Sequence, residues 1–326
     1  MKSFLKRALA MFRWPIDLLL SILIVPAAHL LLLYRKAGAA QLPMTTKRLK
    51  GIGVFPIRNH FYEPLFDDRL LMRPLDADRY LPGIDLNEAD QLRRLDALRF
   101  EDELIVLDLR QRRDTIGAFH LPNGSFEPGD AEYLYQFLRA VKPAKVIEIG
   151  SGNSTKIARL ALERNRGETG VTGTHICIEP YEQPWLEQLD GIEVIRRRVE
   201  DCDIDWSAAL AKGDLLFVDS SHMIRPQGDV LKEYLEIFPR LQPGVVVHIH
   251  DIFTPRDYLK TWVVDEVRFW NEQYLLEALL TNTNRYEVVA ALNYLKNNHY
   301  DALSRVCPYL DRGCEPGSFY FRVRAE

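Results

Sequence analysis

Apolar and polar positions follow two different regimes along this chain. Pro15–Tyr34 is an almost continuous apolar run of the length that just spans a bilayer. From Asn123 onward the pattern becomes regular. NGSFEPGDAEYLYQFLRAV places Asp130 at a helix start, with Tyr133, Phe137 and Leu138 on one face. Short β-branched runs then alternate with segments of helical period. They predict strands at 145–149, 174–179, 192–196, 214–219, 244–250, 286–292 and 318–323, and helices at 154–165, 184–190, 228–238 and 265–281. A turn covers Val199–Asp205, and a long loop carries HDIFTPRDYLKTW. Such alternation specifies an α/β fold with a mostly parallel sheet and right-handed crossovers.

The centre of this pattern is Val146–Ser154, VIEIGSGNS, a strand that runs into a tight glycine turn and opens a helix. Such a turn lets backbone N–H groups approach a ligand closely. Glu148 precedes Gly150 by two residues, and Thr155 replaces the third glycine of the dinucleotide fingerprint G-x-G-x-x-G. Three further apolar runs end on acids: HICIEPY on Glu179, LLFVDSSH on Asp219 and VVVHIHD on Asp251. Polar groups at the C-terminal edge of several strands describe a ligand crevice at a topological switch point.

Length and charge narrow the reading. The 326 residues, 47% hydrophobic and 27% charged, suit one α/β domain of about 200 residues with extensions. A formal charge of −4 sets nucleic acid aside as a partner. Four cysteines without a C-x-x-C pair fit a reducing compartment, with Cys307 and Cys314 as ordinary thiols rather than a zinc site.

The chain divides on this reading into 1–38, 39–115 and 116–326. Lys2, Lys6, Arg7 and Arg13 precede the apolar run, and Arg35, Lys36, Lys47, Arg48 and Lys50 follow it. No small-residue cleavage site marks a secretory signal. With both flanks basic, the positive-inside bias does not choose an orientation. Pro26 bends a helix, so re-entrant or interfacial anchoring, a straight span and a buried soluble helix all stay open. Residues 39–115 read as a lead-in region of loops and short helices. Asn87–Leu98 is its clearest helix, with Asn87 as N-cap and Leu92, Leu95 and Leu98 as an apolar stripe that packs on the main domain. HFYEPLFD at 60–67 is a lid, a substrate wall or plain packing.

A glycine turn with an acid closing the second strand suits either a dinucleotide or S-adenosylmethionine. Glu179 can accept from ribose hydroxyls in both cases. A carboxylate at Glu148 would repel a pyrophosphate and suits an ammonium and a sulfonium. EIGSGNS, IEPY, LLFVDSSH, GVVVHIHDIF and SFYFRV, with NGSFEPGDAE upstream and HFYEP more loosely, resemble class I S-adenosylmethionine-dependent methyltransferases of the bacterial group related to cephalosporin-hydroxylase-like and sugar O-methyltransferases. The segment with Arg13, Asp17, Ser21 and Pro26 resembles the re-entrant membrane helix of monotopic phosphoglycosyl transferases.

The methyltransferase resemblance implies a Rossmann-like sheet of order 3-2-1-4-5-7-6 with the last strand antiparallel. It puts Glu148, Gly150, Ser151, Gly152 and Asn153 around the methionine part of the cofactor, Glu179 on the ribose and Asp201 near the adenine. His222, His248 and His250 are candidates for the acceptor's proton, with His222 favoured and His250 nearer the ligand edge than His248. Asp219 and Asp251 end adjacent strands and could share a divalent cation such as magnesium. The expected function is methyl transfer to oxygen of a glycan or lipid-linked sugar at the cytoplasmic face of the bacterial inner membrane, the enzyme being monotopic or single-pass. A non-catalytic membrane scaffold and an NAD-dependent oxidoreductase are the alternatives.

Overall fold

The seven predicted strands are all present. The computed structural model describes residues 13–113, 115–171 and 173–325. They are β1 (Lys145–Ile149), β2 (Thr174–Ile178), β3 (Glu193–Ile195), β4 (Leu215–Val218), β5 (Val246–Ile249), β6 (Tyr286–Ala291) and β7 (Phe319–Val323). They form one sheet in the order β3-β2-β1-β4-β5-β7-β6. Neighbours run parallel except β7, which is antiparallel to both β5 and β6. The sheet is therefore the Rossmann-like α/β one implied by the sequence motifs.

Alternation along each strand feeds two apolar layers. Val146, Leu215, Phe217 and Tyr320 face one layer, and Ile147, Ile149, Leu216, Val218 and Ile249 the other. The first layer is closed by helices at Asp130–Val141 and Asn153–Thr169, the second by the helical segment from Asp229 to Arg240 and the helix Glu272–Leu280. Both faces of the central strands are buried, which is why they read as near-continuous apolar runs.

Several elements depart from expectation. The helix 184–190 shrinks to a single turn, Leu186–Gln188. The helix predicted over 265–281 starts only at Glu272, because Val267 sits in the left-handed region at φ 53° and interrupts it. Two short helices, Leu292–Asn298 and Tyr300–Val306, follow β6 where no helix was predicted, the first taking over Leu292 from the predicted strand. Asn87 stands at the N-cap position, at φ 55°, but its side chain makes no cap hydrogen bond: its amide donates to the Val288 carbonyl at 3.2 Å.

The compact units also fall elsewhere, at residues 1–72 and 73–326. Leu95, Leu98 and Leu104 lie within the first layer, so the later lead-in region is part of the sheet domain. In the N-terminal unit a helix runs unbroken from Arg13 to Ala37 with Pro26 inside it. Its length of about 37 Å matches a bilayer crossing, and its apolar side chains from Leu18 to Leu33 are mostly exposed. The basic residues Lys2, Lys6 and Arg7 lie outside the described residues. Tyr34 is buried, bonding Thr46 at 2.6 Å on the helix Pro43–Ile52 and meeting Phe55 edge-on. Phe61 and Tyr62 are exposed, so plain packing does not describe them.

Two measurements follow from this packing. Leu95→Ala should cost about 3 kcal/mol in urea unfolding of the sheet domain, as expected for a fully buried leucine; a surface-like value would separate residues 73–115 from that core. Glu132 accepts from the backbone N–H groups of Gly129 and Tyr309, both at 2.5 Å, and burial pushes its carboxyl up to about 7. A carboxyl raised on folding contributes stability that is complete below its ordinary 4.5 and lost as pH rises through about 7. Glu132→Gln, which mimics the protonated form, should flatten stability against pH between the ordinary 4.5 and about 7.

Candidate active site

Two adjoining features sit at the C-terminal edge of the sheet. The first is a cavity of about 750 Å³ where β1, β2 and β4 end, lined among others by Gly150, Glu179, Tyr181, Val199, Asp219 and Arg225. Its floor depends on Gly150, at φ 80°, where an added Cβ would stand 1.9 Å from the Asp219 carbonyl oxygen. The turn is tied to both neighbours: Gly150 N–H donates to Ile178 O at 3.0 Å, and Asp219 N–H donates to Ile149 O at 2.8 Å. Glu179 is held on the cavity wall by backbone N–H groups of Tyr181 (2.9 Å), Glu182 (2.8 Å) and Ser151 (3.3 Å).

Glu148 does not reach this cavity. It points under the first turn of the following helix, where Oε2 accepts from the Thr155 hydroxyl at 2.6 Å and lies 3.0 Å from His175 Nε2. Thr155 Oγ1 in turn accepts from Gly152 N–H at 3.1 Å. Glu148 therefore does not face a ligand in this cavity, and its charge is not what disfavours a pyrophosphate there. The residue at the third glycine position takes up the Gly152 donor that a pyrophosphate would use, and Glu148 holds that residue in place. Asn153 also faces elsewhere, donating to Asn123 at 3.1 Å and Ser125 at 2.8 Å. Asp201 pairs with Arg198 at the surface (2.7 Å), while its neighbour Glu200 lines the cavity.

The second feature is a buried cluster beyond the ends of β4 and β5. His222 Nε2 lies 3.2 Å from Asp219 and 3.5 Å from Asp251, and its Nδ1 lies 2.8 Å from Glu272. His250 Nδ1 lies 3.6 Å from Asp219 and 3.5 Å from Asp251, with Nε2 3.5 Å from Asp130. Asp219 belongs to both features, lining the cavity while touching His222. His222 and Asp251 both adopt left-handed backbone, at φ 58° and 60°. Such conformations cost about 1–3 kcal/mol each and gather at functional sites. The surroundings impose them: the His222 carbonyl accepts from Asn271 N–H at 3.0 Å, and Ile252 N–H, next to Asp251, donates to Gly317 O at 2.7 Å.

Four carboxylates around two imidazoles make the cluster attract positive charge. Burial works against a charged His222, but hydrogen bonds to Asp219 and Glu272 outweigh it and raise its pKa well above the ordinary value. His250 is raised likewise, burial being outweighed by Asp251 and Asp219. Burial lifts Asp251, whereas at Asp219 it is overcome by His250 and His222 and the pKa falls. A protonated His222 wedged among carboxylates has no free lone pair, which disfavours it as the acceptor's base. His248 is no alternative: it stacks on Tyr320 at 4.0 Å, and burial drives its pKa well below the ordinary value.

The donor set fits a divalent cation. Ligand atoms of Asp219, His222 and Asp251 all lie within 4.8 Å of one another, and the second nitrogen of His222 is oriented by a carboxylate, as is usual for metal-bound histidine. Sequence reasoning passed over Glu272, fully buried and bonded also to the Tyr234 hydroxyl at 3.1 Å, and gave Asp130 only a helix start. Glu272 carried no signal, lying within a segment read as amphipathic helix. For Asp130 the signal was NGSFEP before it: Phe126 of that motif closes over His250 with ring centroids 5.0 Å apart.

Residues 147–252 match the model of a family described as a methyltransferase domain. Over these residues the chain therefore carries a domain similar to methyltransferase domains, set on a Rossmann-like sheet. An uncharacterized protein of Archaeoglobus fulgidus is 27% identical over 167 residues, which cover 48% of this chain and 74% of that one. Among solved structures, the plantazolicin methyltransferase BpumL with a desmethyl analogue and S-adenosylhomocysteine is 11% identical, TM-score 0.37, over 74% of this chain and 98% of that one. An O-methyltransferase from Bacillus cereus with S-adenosylhomocysteine is 12% identical, TM-score 0.33, over 72% and 90%.

Gly150→Ala, which must clear the Asp219 carbonyl at a positive φ, should lower stability by roughly 3 kcal/mol. S-adenosylhomocysteine binding should fall with it, as read by thermal unfolding and calorimetry; an unchanged pair would mean the turn has slack that the geometry denies.

Proposed function

We propose that this protein methylates oxygen of a glycan or lipid-linked sugar at the cytoplasmic face of the membrane. The observation that carries the reading is Asp219, which joins the cofactor-sized cavity to the acid-rich cluster, so that an acceptor hydroxyl held at the cluster would face the reactive end of the cavity. Methyl transfer is an in-line displacement at a sulfonium: the acceptor oxygen would take the methyl as the carbon–sulfur bond breaks, and its proton would pass to the Asp219 carboxylate at the cavity edge. S-adenosylmethionine, when bound, supplies the electrophilic methyl group. Glu179 would hold its ribose, and Gly150, Ser151 and Gly152 would leave room at the turn for the methionine part. Glu148 acts from beneath by fixing Thr155 and through it Gly152.

Asp219, His222 and Asp251 would hold a divalent cation such as magnesium, which lowers the pKa of a hydroxyl bound beside it. Glu272 orients His222, and His250 neutralises part of the remaining acid charge. The exposed apolar helix Arg13–Ala37 supports a membrane-held acceptor, since tethering raises the local concentration of anything embedded in the same bilayer. The methyl donor is made in the cytosol, which favours that face.

Labelled methyl donor incubated with lipid-linked sugar extracts should deliver label to the glycan; transfer confined to protein would overturn the acceptor assignment. Asp219→Ala should abolish turnover while S-adenosylhomocysteine affinity stays within about threefold, because Asp219 acts on the acceptor side of the cavity. Equal loss of both would make it a cofactor or folding residue. Manganese binding followed by electron spin resonance should show one site, weakened at least about tenfold by Asp251→Asn; a wild-type chain that ignores manganese and magnesium sinks the cation.

A further inference from the structure

The N-terminal unit holds a second apolar feature besides its long helix. Phe61 and Tyr62 are 82% and 84% exposed, with ring centroids 4.0 Å apart. The loop that presents them is fastened in place. Glu63 accepts from Arg58 through its backbone N–H (3.1 Å) and Nε (2.8 Å), and pairs with Arg35 at 2.6 Å. Arg35 stands in the last turn of the apolar helix, its guanidinium 4.9 Å from the Phe55 ring. The aromatic pair is thereby pinned to the polar end of a bilayer-length helix, the level at which amphipathic aromatic rings collect in membrane proteins. The adjoining helix Pro43–Ile52 carries Lys47, Arg48 and Lys50 and no acid, beside exposed Met44 and Ile52. Basic charge with exposed apolar groups matches the headgroup layer of an anionic bilayer.

We propose that residues 43–63 form an interfacial lipid-binding element, with Phe61 and Tyr62 inserted at the acyl boundary and Lys47, Arg48 and Lys50 on anionic headgroups. This rests on reading Arg13–Ala37 as a membrane anchor, and continuity with that helix selects lipid as the occupant. The test reconstitutes the full chain in phosphatidylglycerol-rich vesicles carrying brominated acyl chains and compares wild type with Phe61→Trp. Of the five tryptophans only Trp14 stands on the apolar helix, so bromine quenching of the native emission reports the anchor. The extra emission of the variant should be quenched about twofold by bromines just below the headgroups and less by deeper ones, and the quenching should weaken in phosphatidylcholine. Failure of the chain to float with vesicles overturns both the anchor and this element. Flotation with Trp14 quenched but the introduced indole untouched overturns this element alone. So does an introduced indole that ignores bromine yet responds to S-adenosylhomocysteine, which would make the loop a lid of the catalytic unit.

Discussion

β1 and β4 part company at a point where the backbone leaves no space for a side chain. A Cβ on Gly150 would meet the carbonyl oxygen of Asp219 at 1.9 Å, so one glycine sets how closely the two strand ends approach. That approach delivers Asp219 to the cavity edge, and the Gly150 N–H bond to the end of β2 brings Glu179 to the opposite wall. The crevice at the switch point is thus a consequence of backbone contact before any side chain contributes.

Around this frame, charge is arranged by burial. Asp130, Glu272, His222 and His250 are nearly inaccessible, and Asp219 and Asp251 are the more open members of the cluster. Buried carboxylates are tolerated only with compensating positive charge. Two imidazoles provide it here, and the left-handed backbone at His222 and Asp251 shows that the chain accepts strain to bring them together. A site that holds protons so firmly is also one that a divalent cation could occupy by displacing one.

Glu148 and His248 show how residue type alone can mislead. Both are polar residues on central strands, and both point away from the ligand edge into the layer beneath the helices. Their period-2 placement was readable, but which face opens to ligand depended on the helices that close each layer.

The sequence by itself determined the strands and the acids at their ends, which follow from apolar runs and glycine placement and are local, while the strand order was implied only by the resemblance of its motifs to class I methyltransferases. It also placed Gly150, Glu179, Asp219, His222, His250 and Asp251 at one edge. Tertiary structure decided what local pattern cannot encode. The pairing of His222 with Glu272 and of His250 with Asp130 joins residues 50 and 120 positions apart, and only the folded sheet brings such partners within reach. It also turned Asn153 and Asp201 away from the cavity and brought Leu104 and Leu109 into the core beside Leu95 and Leu98, because side-chain direction and docking are settled by packing between elements rather than within them.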